Sequence, residues 1–290
     1  MKKKILMIIG VIIILLSFTG CSKDDTESVM TTYTSVYPVE YILDNLYGDK
    51  MAIYGIYPDG TNYTNYKLTN KQLSDYSKGD LFVYNGTIKK EKDYAAYLIN
   101  KNKKIKIIDA SLGMNYTNDV IETWLNPSNY LMMASNIKKG LEEYINEEIE
   151  KKEIEKNYEK LKLNLTQIDA ELKSIANNSN NNILIVGSDT FKYLEKYGFT
   201  VISLEENDNL TDKTLADVKR IFSNKMASYI FLKDNDEESK TVKALKDKYN
   251  IQIARINSLY TLSATDRKDK KDYNSIMMDN INSIKLEVNN

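Results

Sequence analysis

Residues 147–175 read EEIEKKEIEKNYEKLKLNLTQIDAELKSI, and this tract constrains the fold more than any other. Ile154, Tyr158, Leu161, Leu165, Ile168, Leu172 and Ile175 follow one another at alternating steps of four and three. Those steps keep one stripe on one face of a single helix of about six turns. A free coiled coil would carry the same stripe. The flanks favour another solution, because NNSNNN closes the tract at 177–182 and strand-like and helix-like segments alternate on both sides. The pattern predicts one helix over roughly 152–177 lying across an N-terminal lobe, 30–151, and a C-terminal lobe, 178–290.

In the first flank TTYTSVY, MAIYGIY, LFVYNG and KIKIIDAS have strand character. VEYILDNLYG reads as a helix ended by Gly48, and residues 69–78 as a short helix with Thr69 as its cap. A further helix over 128–147 starts from Asn126 as N-cap and Pro127 at the first helical position. The second flank gives four strand–helix units: ILIVG with SDTFKYLEKYG, FTVISL with TLADVKRIFSN, YIFL with EESKTVKALKDKYN, and IQIARI with KDYNSIMMDNINSIKLEV. Such alternation predicts an α/β chain with parallel or mixed sheets flanked by helices. Ligands then sit beyond the carboxyl ends of the strands. In the second lobe those ends are GSD at 187–189, the loop after Leu204, KDND at 233–236 and NSLYTLS at 257–263.

The start of the chain is a targeting segment. Lys2, Lys3 and Lys4 precede the apolar run ILMIIGVIIILL, which has the length of an export-signal core and is short for a membrane span. Cys21 is the only cysteine, so no internal disulfide can form. The stretch FTGC resembles the lipobox of bacterial lipoproteins, with Phe18 where leucine is usual. The resemblance implies a signal peptide over 1–20, a lipidated Cys21, and a polar tether over 21–29. The expected place is the outer face of the cell membrane.

Composition excludes several kinds of chemistry. The 290 residues contain 40 Lys+Arg against 41 Asp+Glu, which leaves no basic field for nucleic acid. Histidine is absent, which removes imidazole acid–base catalysis, His-based triads and His-rich zinc sites. The 11 glycines are scattered and form no phosphate-cradling loop, and no pair of acids stands out as a hydrolytic couple. No enzyme is expected.

SVYPVEYI, YPDGTNYTNYKLT, DLFVYNG, IIDAS, ETWLNP, SDTFKYLEKYGF and KDYNSIMMDNINSI occur in an order and spacing that resembles the zinc- and manganese-specific solute-binding lipoproteins of bacterial ABC importers. That family includes some streptococcal lipoproteins once called adhesins. The resemblance spans the mature chain. It implies a two-lobed periplasmic-binding-protein-like fold, a metal held between the lobes, a membrane permease as partner, and a monomer. Family members use three histidines plus a fourth histidine or carboxylate. Carried onto this chain, those positions fall at Thr64, Glu122, Ser188 and Tyr260, with Asn257 the other choice for the fourth.

None of these is histidine, and only Glu122 is a carboxylate. Hydroxyls are weak ligands for zinc, and a phenol binds well only when deprotonated. Three readings of the cleft therefore stand. A hard ion such as manganese or calcium could bind an oxygen-rich set drawn from Glu122, Asp189, Glu205 and Asp234. A small polar or cationic solute could lie against Trp124, Tyr63, Tyr66 and Tyr260 with Glu122 as countercharge. Or the cleft is vestigial and the protein is a surface interaction or adhesion module. Asp189, just after a strand, reads first as a carboxylate at a helix N-terminus.

Overall fold

The computed structural model describes residues 29–62, 65–114 and 120–289. The signal peptide, Cys21 and its tether up to residue 28, and the candidates Tyr63 and Thr64, lie outside the described residues.

Two four-stranded sheets form the two lobes. In the first, β1 (Met30–Thr34), β2 (Met51–Gly55), β3 (Leu81–Tyr84) and β4 (Lys106–Asp109) lie in the order β2-β1-β3-β4. In the second, β5 (Ile183–Val186), β6 (Thr200–Ser203), β7 (Tyr229–Lys233) and β8 (Gln252–Ile256) lie in the order β6-β5-β7-β8. Every pairing is parallel. The two orders are the same once strands are counted from the start of each lobe. Each therefore has a switch point beside its first strand, where loops splay and a cleft opens.

The N-terminal helices are α1 (Tyr37–Tyr47), α2 (Asn70–Tyr76), α3 (Lys89–Lys101) and α4 (Pro127–Tyr144). Thr69 caps α2 in a full capping box with Gln72, and Asn126 caps α4 by accepting from Ser128 N with Pro127 at the first position. Helix α3 was not anticipated. Its buried residues, Glu91, Ala95 and Leu98, have helical spacing, but an acid and an alanine make the stripe nearly invisible to a hydrophobicity pattern.

Helix α5 (Glu148–Asn177) starts four residues before the expected 152. Its stripe is buried at Ile154, Leu161, Leu165, Ile168, Leu172 and Ile175, with Tyr158 half-buried against the core. Six aliphatic side chains at roughly 1.5–3 kcal/mol each make this seam a main source of cohesion. The seam is satisfied within the chain. Near the start of the helix Asn157 Nδ2 donates to Leu46 O and Tyr47 Oη donates to Glu150, both in the N-terminal lobe. Further along, Asp169 accepts from Tyr197 Oη, and Lys285 pairs with Glu171, both in the C-terminal lobe.

The C-terminal lobe is completed by α6 (Asp212–Ser223), α7 (Lys240–Tyr249), α8 (Ala264–Lys268) and α9 (Tyr273–Val288). The expected first helix of this lobe is a 3-10 helix, Asp189–Tyr197, closed by Gly198 at φ +107°, a left-handed conformation that glycine takes without a Cβ penalty. One hydrophobic core runs through the N-terminal lobe, α5 and the facing side of the C-terminal lobe, and a second, smaller core fills the far side of the C-terminal sheet.

Candidate functional site

The site lies where the carboxyl ends of both sheets meet. Glu122 precedes a 3-10 turn, Thr123–Leu125, that leads into α4. It is 4% exposed, and both its oxygens are taken by the opposite lobe. Thr190 Oγ1 donates to Oε2 at 2.9 Å, and Lys233 Nζ donates to Oε1 at 2.9 Å. Lys233 is the last residue of β7, in the KDND segment at a strand end. Burial alone would lower its pKa, but attraction from Glu122, then Asp236, overrides this and holds the ammonium above its ordinary value. Asp236 is 3.7 Å away, and its own pKa is raised by burial against the lowering effect of Lys233.

A polar chain runs on from Thr190 through the C-terminal lobe. Ser188, the N-cap of the 3-10 helix, accepts from Thr190 N at 3.3 Å and donates to Glu205 Oε2 at 3.1 Å. Glu205 also accepts from Asp189 N. The Asp189 carboxylate sits in the first turn of that helix, bonded by Lys192 and Asn207. Burial would raise its pKa, but donors including Ser203 and Lys192 hold it below the usual carboxylate range. It lies in the first helical turn, as read from the sequence, and its partners are side chains.

The aromatic candidates divide. Trp124 is fully buried rather than a wall of an open cleft. Its Nε1 donates to Ser258 O at 2.8 Å across the lobe boundary, its carbonyl accepts from Tyr273 Oη at 2.7 Å, and its ring meets Tyr260 edge-on at 5.5 Å. Tyr260 is 2% exposed, and its hydroxyl donates to Glu91 Oε1 at 3.3 Å. Tyr57 Oη donates to the same oxygen, and Asn85 N to the other. Burial pushes Glu91 up to about 7 despite these donors. Tyr66 is turned away, packing edge-on against Tyr57 and accepting from Gln72. Asp234 is exposed and accepts from Ser258 N, while Asn257 is clasped to Asn280 by two hydrogen bonds. The Asn280 side chain holds the Asn257 backbone, and the Asn257 side chain accepts from Leu259 N at 2.8 Å, so with Asp234 these groups brace the loop around 257–260.

Beside the Glu122–Lys233 pair opens a cavity of about 290 Å³, lined in part by Asn62, Asn65, Lys233, Asn235, Asp236 and Tyr260. The structure thus brings Glu122, Ser188, Glu205 and Tyr260 to one region. It adds three residues the sequence did not single out: Lys233, Thr190 and Glu91.

The family described as zinc-uptake complex component A, periplasmic, matches residues 32–286. The chain belongs to this family. Among its relatives, the metal ABC transporter substrate-binding lipoprotein ScbA of Streptococcus cristatus is 26% identical, over 94% of this chain and 96% of its own. The manganese ABC transporter substrate-binding lipoprotein of Streptococcus gordonii is also 26% identical over the same shares. The zinc-bound ZnuA-like domain of Streptococcus pneumoniae AdcA superposes with a TM-score of 0.73 at 20% identity, covering 90% of this chain and 99% of that domain. This last likeness speaks to fold alone.

Among the described residues, those at the positions that the resemblance assigns do not fit a divalent ion. Among the described residues, no three His, Cys, Asp or Glu side chains stand together closely enough to hold one. Glu122, the one carboxylate among the positions that the resemblance assigns, has a donor of the same chain on each oxygen, an ammonium and a hydroxyl.

Proposed function

We propose that the protein is the exported, lipid-anchored solute-binding component of a metal-type ABC importer, with capture of divalent ions weakened relative to its relatives. It is a transport protein rather than an enzyme, and its partner is an ABC permease. We take it to act as a monomer anchored through Cys21, with a signal peptide over 1–20, a tether over 21–29, lobes at 30–151 and 178–290, and the joining helix between them. The observation that carries the reading is the pairing of both Glu122 oxygens with donors of this chain, Lys233 and Thr190. Where an ion is taken, the oxygen-only donors favour manganese or calcium over zinc.

Calorimetry of the full-length protein in detergent, with zinc, manganese and calcium chlorides in turn, tests this. No one-to-one complex tighter than micromolar is expected, and a tighter zinc complex would sink the reading. A second reading, a small polar solute, is favoured by the amide-lined cavity of about 290 Å³. Native mass spectrometry of the protein from its own host separates the two. An organic species co-purifying supports the second reading, and a bound ion supports capture of metal. Cys21→Ala should release the protein from the membrane or block its processing; normal anchoring would refute the lipidation.

A further inference from the structure

We propose that Lys233 is the specificity-determining residue of this cleft, a tethered cation that stands in for a divalent ion and keeps such ions out. The proposal rests on the reading of the cleft as the family's solute site. Three observations carry it. First, the Nζ lies 2.9 Å from Glu122 Oε1 and Thr190 Oγ1 donates to the second oxygen, so each oxygen already has a donor from this chain and an incoming ion must compete with both. Second, the two charges come from different lobes, Glu122 ahead of α4 and Lys233 at the end of β7, which is how a captured cation would bridge them. Third, Glu122, Asp236 and Glu205 all act electrostatically on this one ammonium, so it sits at the focus of the cleft's negative charge.

A solvated lysine at a strand end would show none of this. Its side chain would be exposed, and here it is 18% exposed. The ammonium carries one charge and three donors and accepts nothing, so it satisfies a carboxylate but coordinates no metal. An ion entering the pocket must displace it or meet its repulsion. Selectivity of this kind works by repelling the wrong ligand as well as by attracting the right one.

The experiment is a charge series at position 233 in the full-length protein in detergent, titrated calorimetrically with manganese chloride and with zinc chloride alone. Wild type and Lys233→Arg keep the cation and should show no saturable one-to-one binding. Lys233→Gln removes the charge, and Lys233→Glu places a second carboxylate opposite Glu122. Both should gain affinity, at least tenfold for Lys233→Glu, and Lys233→Gln should lose its gain when combined with Glu122→Gln. A purely structural ion pair would change the melting temperature across the series without changing metal affinity. Equal, weak binding by all four proteins, with cooperative melts for the variants, overturns the proposal. If Lys233→Glu does not fold, Lys233→Gln decides the matter. A tight wild-type complex would instead refute weakened capture, and the trend across the series would still judge Lys233.

Discussion

The two lobes meet through two kinds of contact less than one helical turn apart in sequence. Around Trp124 the seam is aromatic and neutral: an indole donating to Ser258 O, a Tyr273 hydroxyl on the Trp124 carbonyl, and Tyr130 stacked on Tyr273 at 4.0 Å. Around Glu122, two residues earlier, the contact is ionic and opens onto a cavity. The neutral seam satisfies every polar group with a fixed partner and needs no ligand. Large rings excluded from water give cohesion, and their few polar atoms fix the register. The ionic contact is different. A buried ion pair adds little net stability over apolar residues of the same shape, yet breaking it is costly. Such a pair defines which charges a cleft will accept more than it holds the lobes together.

Substitutions should separate the two contacts. Trp124→Ala is expected to have the largest effect, a loss of about 4 kcal/mol in chemical denaturation, because a fully buried indole leaves a cavity and strips partners from Ser258 O. A loss under about 1 kcal/mol would show that the seam is not the lobes' main tie.

Glu91 links the seam to pH, since its donors include Tyr260 on the opposite lobe. Burial raises its pKa in the folded state to about 7 from an ordinary 4.5, so the unfolded chain ionises first as pH rises. The folded state is then favoured below about 4.5, and that advantage is lost as pH climbs to about 7, by up to about 3 kcal/mol. Glu91→Gln cannot titrate. Melting curves at pH 5 and pH 8 should show wild type falling relative to the variant. A constant gap between the two would remove Glu91 from the pH dependence.

Lys233→Ala should cost about 2 kcal/mol at neutral pH, because it leaves Glu122 buried with one partner; the figure is discounted for the partial exposure of the lysine. The expectation is sharpened by Lys233→Ala with Glu122→Ala, which should recover most of the loss if the cost is the stranded charge. The smallest effect belongs to Lys196→Ala at the exposed rim, where the ammonium bridges Asn126, Ser128 and Asp169. Less than about 1 kcal/mol is expected there, and less still in high salt.

The local elements were legible because their causes are local. Thr69 with Gln72, Asn126 with Pro127, and Gly198 at a left-handed turn mark helix ends within a few residues of themselves. The stripe from Ile154 to Ile175 marks one buried face. Helix α3 escaped because its buried face opens with Glu91, an acid whose partners Tyr57 and Tyr260 are 34 and 169 residues away. A ring two residues from Glu122 is a candidate for a solute to lie against, and only the docking of the second lobe shows that Trp124 is sealed.

The sequence by itself determined two α/β halves, the helix between them, and a cleft without imidazole, because periodicity, capping and composition are written in the order of residues. It could not show what occupies the cleft in imidazole's place. Lys233 and Glu122 are 111 residues apart, and nothing in the order of residues pairs them. Only the tertiary fold, by carrying both into a partly buried pocket where water screens them less than at the surface, makes one the counterion of the other.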